Sequence, residues 1–479
     1  MRVFLELLAF RGAERVLHLT WFAFFLVFVL WFGYAPLLPS IRADLGLSAT
    51  EVAGLMIFNV ALTAPARLLV GMLVDRVGPR RTYAALLVFG GLAAFAFAAA
   101  QSYAQLAAAR LAMSLVGAGF VVGIRMIGEW FPKERVGLAE GVYGGFGNSG
   151  SAAAALLLPG LALLLGGGTV GWRFAIATCG VIAILYGLAY LRLVQDAPAG
   201  RSFRQARRGG VLGVADERAL RLYFVILLPV YFALALVGLR LKMLGLLPEP
   251  AYWAGLLLLT ALCAWDAHRI RRAQKPEPPT PRPDPVDIRI VGLLALAYFV
   301  AFGSELAVVS FLPSHFVDLY GLPEVTAGIL ASAFAVTNLV ARPLGGYLAD
   351  QGDRHLVLTL TLLGIAASYV LLARLDPAWP LPVAYLFIFG ASLFVMAAEG
   401  AIFAWVPRVQ PRATGQIAGI VGGYGNIGAI VFLSLYPLLG ASDLFLAIAL
   451  AAAAVVALLA QTARSPAPVL APQAAEGRE

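Results

Sequence analysis

Charged residues are scarce in this chain of 479 residues, where they make up 13% of the sequence against 61% for hydrophobic residues. The mean hydropathy is accordingly high, at +0.86. A soluble protein of this length could not cover so much apolar surface, which argues against a soluble helical bundle. Runs of about 20 apolar residues recur along the chain, and this is the length with which a helix crosses a bilayer. We therefore expect an all-α integral membrane protein.

Cysteine and histidine are also few, with two and four copies. Cys179 and Cys263 fall in apolar runs, which indicates packing rather than a disulfide framework, and neither a metal site nor a cofactor is expected. The sequence offers no nucleophile–base pair and no phosphate-binding loop in its proper context, which disfavours an enzyme. The net charge of +9 is expected to lie in cytoplasmic loops and does not indicate nucleic-acid binding.

The apolar runs form two sets of six, with two more runs between the sets. The first inserted run covers 220–239, and the second, 251–267, is shorter and ends in charge. We therefore predict fourteen transmembrane helices, as two six-helix bundles with a two-helix hairpin inserted between them. The spans predicted for the two sets are 18–40, 51–74, 82–100, 104–128, 137–165 and 172–194, then 289–313, 326–349, 356–373, 381–405, 414–439 and 442–462.

Positive charge predicts the orientation, because cytoplasmic loops carry an excess of lysine and arginine. The basic clusters before the first span, after spans two, four and six, and before the second set all fall on one side. Both termini are therefore predicted to be cytoplasmic, and the proline-rich segment 275–285 is predicted to be an extended linker. The expected units are an N-terminal bundle at 1–194, linkers with the inserted hairpin at 195–288, a C-terminal bundle at 289–463 and a cytoplasmic tail at 464–479.

The two sets of spans carry matching landmarks. The stretch "ARLLVGMLVDRVGPRR" at 66–81 corresponds to "ARPLGGYLADQGDRH" at 341–355, with identical spacing of arginine, glycine and aspartate. In the same way "GGFGNSG" at 144–150 corresponds to "GGYGNIG" at 422–428. Two equivalent halves in the same orientation are typical of a transporter in which two bundles rock around a central site.

Some of these stretches resemble a known family. "GMLVDRVGPRR" resembles the loop between spans two and three of the major facilitator superfamily. Within that superfamily, the segments 119–155, 297–313 and 397–430 resemble the nitrate/nitrite porters, whose nitrate signatures are similar to the paired Gly-Asn motifs. The resemblance implies the major facilitator fold with pseudo-twofold symmetry, and multi-pass insertion in a bacterial inner membrane. It also implies transport of nitrate and nitrite, and we expect a monomer in the lipid bilayer.

Arg67 and Arg342 are the main candidates for an anion site. Each lies eight residues before its loop aspartate, Asp75 or Asp350, and so about 12 Å along the helix from the cytoplasmic end. An arginine near the bilayer midplane costs about 2.5–3.5 kcal/mol on insertion scales, so it must face a polar cavity or a partner. Guanidinium donors lie in one plane and suit a flat oxyanion. The residues alone indicate an anion, and the family resemblance narrows it to nitrate and nitrite.

The Gly-Asn motifs admit two interpretations. Asn148 and Asn426 offer amide donors to an anion, and Gly144 and Gly422 would let helices approach and leave a small cavity. Alternatively the glycines only pack helices closely, and the asparagines bond one helix to another. The resemblance adds aromatic walls, which match Tyr298, Phe302 and Phe120.

Glu305 lies on the same helix face as Tyr298 and Phe302, at spacings i, i+4 and i+7. Two arginines without a carboxylate would leave an empty site with two uncompensated charges, which favours obligatory exchange of anions. Glu305 would instead pair with an arginine in the empty site and take a proton when nitrate arrives. Nitrate/proton symport is therefore our first expectation. Nitrate/nitrite antiport, transport of another small anion and a purely structural Glu305 stay open.

The loop motif also predicts gating residues. Asp75 and nearby arginines are expected to form a charged latch on the cytoplasmic face, and Gly71 is expected to allow close helix packing. Arg110 resembles an arginine of span four that is associated with proton coupling, Arg125 and Glu129 are spaced to pair with each other, and Glu140 and Glu399 are further gate candidates. The residues predicted to form the latch and gate are Gly71, Asp75, Arg76, Arg80, Asp350 and Arg110.

Overall fold

The computed structural model describes residues 6, 9–167, 170–203, 217–272, 286–322, 330, 334 and 336–463. Helices dominate these residues, and no strand occurs among them. The predicted linker 275–285 and tail 464–479 lie outside the described residues, as does part of the span predicted at 326–349. The all-α prediction is confirmed for the rest of the chain.

The helices of the N-terminal half occupy the predicted spans, and several spans consist of two helices in line. They are α1 (Gly12–Phe32), α2 (Leu38–Leu45), α3 (Ala49–Ala61), α4 (Thr63–Val77), α5 (Pro79–Ala98), α6 (Tyr103–Ser114), α7 (Gly119–Trp130), α8 (Val136–Asn148), α9 (Gly150–Leu165) and α10 (Gly171–Leu193).

The inserted segment and the C-terminal half continue the pattern. Their helices are α11 (Glu217–Met243), α12 (Glu249–Arg272), α13 (Ile288–Tyr320), α14 (Asn338–Gln351), α15 (Arg354–Leu372), α16 (Leu381–Val409) and α17 (Thr414–Ala463). The long α17 is two helices joined at Gly440, whose φ of 74° is a left-handed value that favours glycine.

Twelve helical segments of the described residues are long and apolar enough to cross a membrane. The predicted total of fourteen is therefore not supported. The first inserted helix qualifies through Leu220–Met243, but α12 is not among the twelve. The span predicted at 326–349 is not among them either, and part of it lies outside the described residues.

The two inserted helices pack on each other, and the first of them, α11, also packs on helices of both halves. The hydroxyl of Tyr231 in α11 bonds to Asp266 Oδ2 of α12 at 2.5 Å, and Lys242 pairs with Glu249 across the turn. The hydroxyl of Tyr424 in α17 donates to the carbonyl of Ile226 at 3.0 Å. The insertion is thus attached to a helix that also carries one of the Gly-Asn motifs.

The two halves meet through glycines on two helix pairs, α4 with α17 and α8 with α14. A Cβ added at Gly71 of α4 would meet the backbone of Gly415, and one added at Gly419 would lie 2.5 Å from the Arg67 carbonyl oxygen. In the other pair, a Cβ added at Gly141 would lie 2.5 Å from Pro343 Cα and 2.7 Å from the Arg342 carbonyl oxygen. Small residues let helix backbones approach closely in a membrane, where apolar surface itself drives no association.

We expect Gly141→Val to destabilise the protein by about 1–3 kcal/mol, because the added side chain cannot be accommodated against the α14 backbone. Thermal unfolding of the purified protein in detergent would measure the loss. Gly255→Val in α12 is the matched control, since nothing lies within 4 Å of an added Cβ there. Equal melting temperatures for the two variants would contradict the close-packing interpretation.

Candidate functional site

Arg67 and Arg342 are both buried, on α4 and α14, at 1% exposure each. Arg67 donates from Nη1 to the Gly422 carbonyl at 2.7 Å and from Nε to the Gly117 carbonyl at 3.3 Å. Gly117 lies in the 3-10 turn Leu115–Ala118 between α6 and α7. Among the described residues Arg67 forms no ion pair with a carboxylate. Its charge is stabilised by backbone carbonyls and by the faces of aromatic rings.

Arg342 has an acidic partner that the sequence did not identify. Its Nη1 lies 2.5 Å from Oε2 of Glu399 in α16, and its Nη2 donates to the Tyr298 hydroxyl at 3.4 Å. Glu399 is fully buried. The sequence assigned Glu399 only to a gate or latch, since α16 is a 29-residue apolar helix and its sequence does not reveal which helix it faces.

An aromatic cluster joins the two arginines. The Phe120 ring centroid lies 5.3 Å from Arg67 Cζ and 5.2 Å from Arg342 Cζ, both within the range of cation–π attraction. Phe302 lies 5.3 Å from Arg67 Cζ and stacks on Tyr298 at 5.0 Å. Phe403 packs edge-on against both Phe120 and Tyr298, at 4.6 and 4.9 Å. The structure thus brings together the three predicted aromatics and adds Phe403, which had no signal beyond being one of 29 phenylalanines.

Each Gly-Asn motif faces the arginine of the other half. A Cβ at Gly144 would lie 2.5 Å from Arg342 Nε, and a Cβ at Gly422 would lie 3.2 Å from Arg67 Cδ and Nη1. Glycine at these two positions therefore leaves the space that the guanidinium groups occupy. These contacts place both glycines beside an arginine of the other half, and their contact with an anion stays a prediction.

The two asparagines differ in their contacts. Asn426 Nδ2 donates to the Gly422 carbonyl at 3.1 Å, the same oxygen that accepts from Arg67. Asn148 Nδ2 is buried without a hydrogen-bond partner among the described residues. Asn426 therefore supports the carbonyl that holds Arg67, whereas Asn148 keeps an amide donor available.

Glu305 is connected to the arginine pair through Glu399. Its Oε1 accepts from Asn338 Nδ2 at 2.7 Å, and its carboxyl group is close enough to that of Glu399 to interact with it electrostatically. The direct contact to Arg342 is made by Glu399 and not by Glu305. Two guanidinium groups and two carboxyl groups are thus assembled in one buried cluster.

On the side predicted to be cytoplasmic, Asp75 of the N-terminal half caps a helix of the C-terminal half. Its carboxylate accepts from the main-chain N–H groups of Gly415 and Gln416 at 3.0 and 2.8 Å, in the first turn of α17. The first N–H groups of a helix lack intrahelical partners and carry a positive partial charge, which a carboxylate satisfies. Arg125 Nε holds the same Asp75 at 2.8 Å and pairs through Nη1 with Glu129.

Asp350 repeats this arrangement in the opposite direction. It accepts from the main-chain N–H groups of Leu138, at 2.9 Å, and Gly137, in the first turn of α8, and it pairs with Arg408 Nη2 at 2.7 Å. Arg408 also donates to the Lys133 carbonyl. We call Asp75, Asp350 and the helix starts at Gly415–Gln416 and Gly137–Leu138 the cytoplasmic latch, after the side on which the charge pattern predicts them to lie.

Some predicted gate residues lie apart from this latch. Arg76 is exposed, and the Arg80 main-chain N–H donates to Asp196 at 2.7 Å, so the arginines that hold the aspartates are Arg125 and Arg408 instead. Arg110 is buried within the N-terminal half, where it donates to the Trp31 carbonyl and lies 4.1 Å from the Tyr34 ring centroid. Glu140 is buried near Asp350 and Arg408.

Comparison with known proteins gives a consistent result. The model of the Major Facilitator Superfamily matches residues 20–267 and 294–478. The chain is 40% identical over 457 residues to the nitrate/nitrite transporter NrtP of Nostoc punctiforme, covering 93% of this chain and 91% of that protein. It is 39% identical over 468 residues to NrtP of Picosynechococcus, covering 91% and 86%.

Solved structures resemble the chain in fold. The fucose:proton symporter FucP in its outward conformation has a TM-score of 0.64 at 14% identity, covering 95% of this chain and all of that one. The human organic anion transporter MFSD10 has a TM-score of 0.60 at 15% identity, covering 94% and 100%.

We expect Asp350→Asn to open the cytoplasmic latch, because losing a charged hydrogen bond costs about 1.5–3 kcal/mol, or roughly tenfold or more in a two-state equilibrium. The readout is the rate of maleimide labelling of Leu138→Cys, a buried position, with Cys179 and Cys263 replaced by alanine. Asp353→Asn is the matched control, since Asp353 caps its own helix by accepting from His355. Unchanged labelling in Asp350→Asn would contradict the role of the latch.

Proposed function

Because this chain belongs to the major facilitator superfamily, and within it to the nitrate/nitrite porter family, we propose that it transports nitrate, and nitrite as well, by alternating access. The observation that carries this proposal is the pair of buried arginines, one from each half, against one phenylalanine ring. The choice of anion is supported by the relatives, which are named nitrate/nitrite transporters.

The anion would bind between Arg67 and Arg342. Each guanidinium presents its donors in a plane that matches a flat, monovalent oxyanion, and aromatic faces would cover the rest of a small ligand. Phe120, Tyr298 and Phe302 would form these walls, and Asn148 would add an amide donor. Gly144 and Gly422 would keep the space for the guanidiniums, while Asn426 would hold the Gly422 carbonyl in place.

Alternating access would use the bundles at 1–194 and 289–463 as the two moving bodies. In the present arrangement the cytoplasmic latch joins them, which supports a state closed toward the cytoplasm. Release of the anion into the cell would require both aspartates to leave the facing helix starts. Since one chain contributes both arginines, a monomer would be sufficient. The basic loops support insertion in a bacterial inner membrane with both termini cytoplasmic.

Coupling to protons is our preferred mode. The cluster contains two carboxyl groups, so the charge of an arriving anion could be balanced by a proton rather than by a departing anion. This supports nitrate/proton symport, with Glu305 as part of the proton-binding cluster. Nitrate/nitrite antiport is the second candidate, supported by Arg67, whose guanidinium lacks an ion-pair partner among the described residues.

We expect Arg67→Lys and Arg342→Lys each to lower the rate of nitrate uptake about tenfold or more, because lysine has no planar fork for an oxyanion. Uptake of labelled nitrate by proteoliposomes would measure this. Arg173→Lys is the matched control, since Arg173 pairs with Asp44 outside the site. If both variants transport at the rate of the control, the arginine pair does not bind the anion.

We expect nitrate to enter proteoliposomes along an imposed inward proton gradient when no nitrite is present inside. Collapse of the gradient by a protonophore should abolish accumulation above the equilibrium level. Strict dependence on internal nitrite would instead establish antiport. Competition by chlorate and nitrite, against sulfate and phosphate, separates both modes from transport of another small anion.

A further inference from the structure

Glu399 occupies a position that neither the loop motif nor the Gly-Asn motifs point to. It is fully buried in α16, and its Oε2 lies 2.5 Å from Arg342 Nη1. The neighbouring acid, Glu305, is held by the amide of Asn338 at 2.7 Å and lies close enough to Glu399 for the two carboxyl groups to interact electrostatically. Glu399 is therefore the acid that compensates the charge of Arg342, and Glu305 is the neighbour of Glu399.

The groups that face Glu399 come from four other helices. They are Arg67 of α4, Tyr298 and Glu305 of α13, Arg342 of α14 and Tyr369 of α15. Two buried carboxyl groups in contact cannot both be charged without a large penalty, so the pair holds one proton and one negative charge. We assign that negative charge to Glu399, because its Oε2 is the carboxyl oxygen that contacts the Arg342 guanidinium.

An anion that binds Arg342 must compete with this carboxylate for the same donors. Once displaced, Glu399 would be a charged group without its cation, buried beside another carboxyl group. Taking up a proton removes that penalty. The net charge of the site is then the same with the anion and the proton bound as in the empty site, because the charge of the anion has replaced that of the Glu399 carboxylate.

We infer that Glu399 is the proton acceptor of the transport cycle: the anion takes its place on Arg342, and the displaced carboxylate binds one proton from the open side. On release, the O–H bond breaks, the proton leaves with the anion on the other side, and the carboxylate pairs with Arg342 again. Glu305, which holds the proton of the pair, is a positioning residue that supports the charged form of its neighbour. This inference rests on the proposed function and adds the identity of the acceptor.

The test measures protons directly, without transport. Calorimetric titration of the purified protein with nitrate, in two buffers of different ionisation enthalpy, gives the number of protons taken up per nitrate bound. For the wild type we expect this number to approach one in the pH range where Glu399 is charged in the empty site. Nitrate affinity should fall as the pH rises, because binding then requires a scarcer proton.

Three variants distinguish Glu399 from Glu305. Glu399→Gln should bind nitrate with no proton uptake and with an affinity that no longer depends on pH. Glu399→Asp serves as the test if the glutamine variant does not fold. Its side chain is too short to hold Arg342, so we expect reduced proton uptake and tighter nitrate binding at alkaline pH. Glu305→Gln should keep the uptake in the same pH range, because a glutamine amide is neutral and can donate a hydrogen bond as the protonated carboxyl does.

The outcomes separate the inference from the proposed function. The role of Glu399 would be overturned if Glu399→Gln bound nitrate and still took up as many protons as the wild type. It would also be overturned if Glu305→Gln were the only variant to lose proton uptake. Neither result would contradict nitrate transport. Nitrate binding by the wild type without proton uptake at any pH would overturn the inference and favour exchange. If the wild type bound no nitrate although its melting curve showed that it was folded, both the inference and the proposed function would be overturned.

Discussion

Two guanidinium groups buried among membrane-spanning helices are the constraint on which the rest of this structure depends. A buried cation in such a place is costly unless donors, rings and counter-charges are arranged around it. Arg67 donates hydrogen bonds to two carbonyls and packs against two phenylalanine rings. Arg342 pairs with a carboxylate and donates to a tyrosine hydroxyl. The 3-10 turn at Leu115–Ala118, the glycines and the aromatic cluster are all part of that accommodation.

The contacts of the two halves are reciprocal. Arg67 bonds to the Gly422 carbonyl while Gly144 makes room for Arg342, and each loop aspartate caps a helix of the opposite half. The helix pair that carries each arginine also carries a glycine contact and a latch contact. Opening the cytoplasmic latch would therefore disturb the same two interfaces that carry the two arginines, so the latch and the arginine pair are linked through continuous packing.

The sequence was most informative where the signal is local or repeated. Span positions follow from runs of apolar residues, and the equivalence of Arg67 and Arg342 follows from spacing within two copies. What depends on the packing of distant helices was not available: the pairing of Arg342 with Glu399, the edge-on Phe403, and the choice of Arg125 and Arg408 over Arg76 and Arg80. Such pairings join residues tens to hundreds of positions apart, and no periodicity encodes them. The predicted fourteen spans were unsupported because α12 is only marginally apolar and part of 326–349 lies outside the described residues.

The contact between Gly144 and the Arg342 guanidinium has a consequence for how such a sequence can evolve. A side chain gained at Gly144 would collide with the arginine of the other half, and the mirror contact at Gly422 imposes a weaker form of the same condition. The two copies of the motif are therefore not free to change independently at these positions. A larger residue at either glycine requires the arginine that it faces in the other half to move or to change.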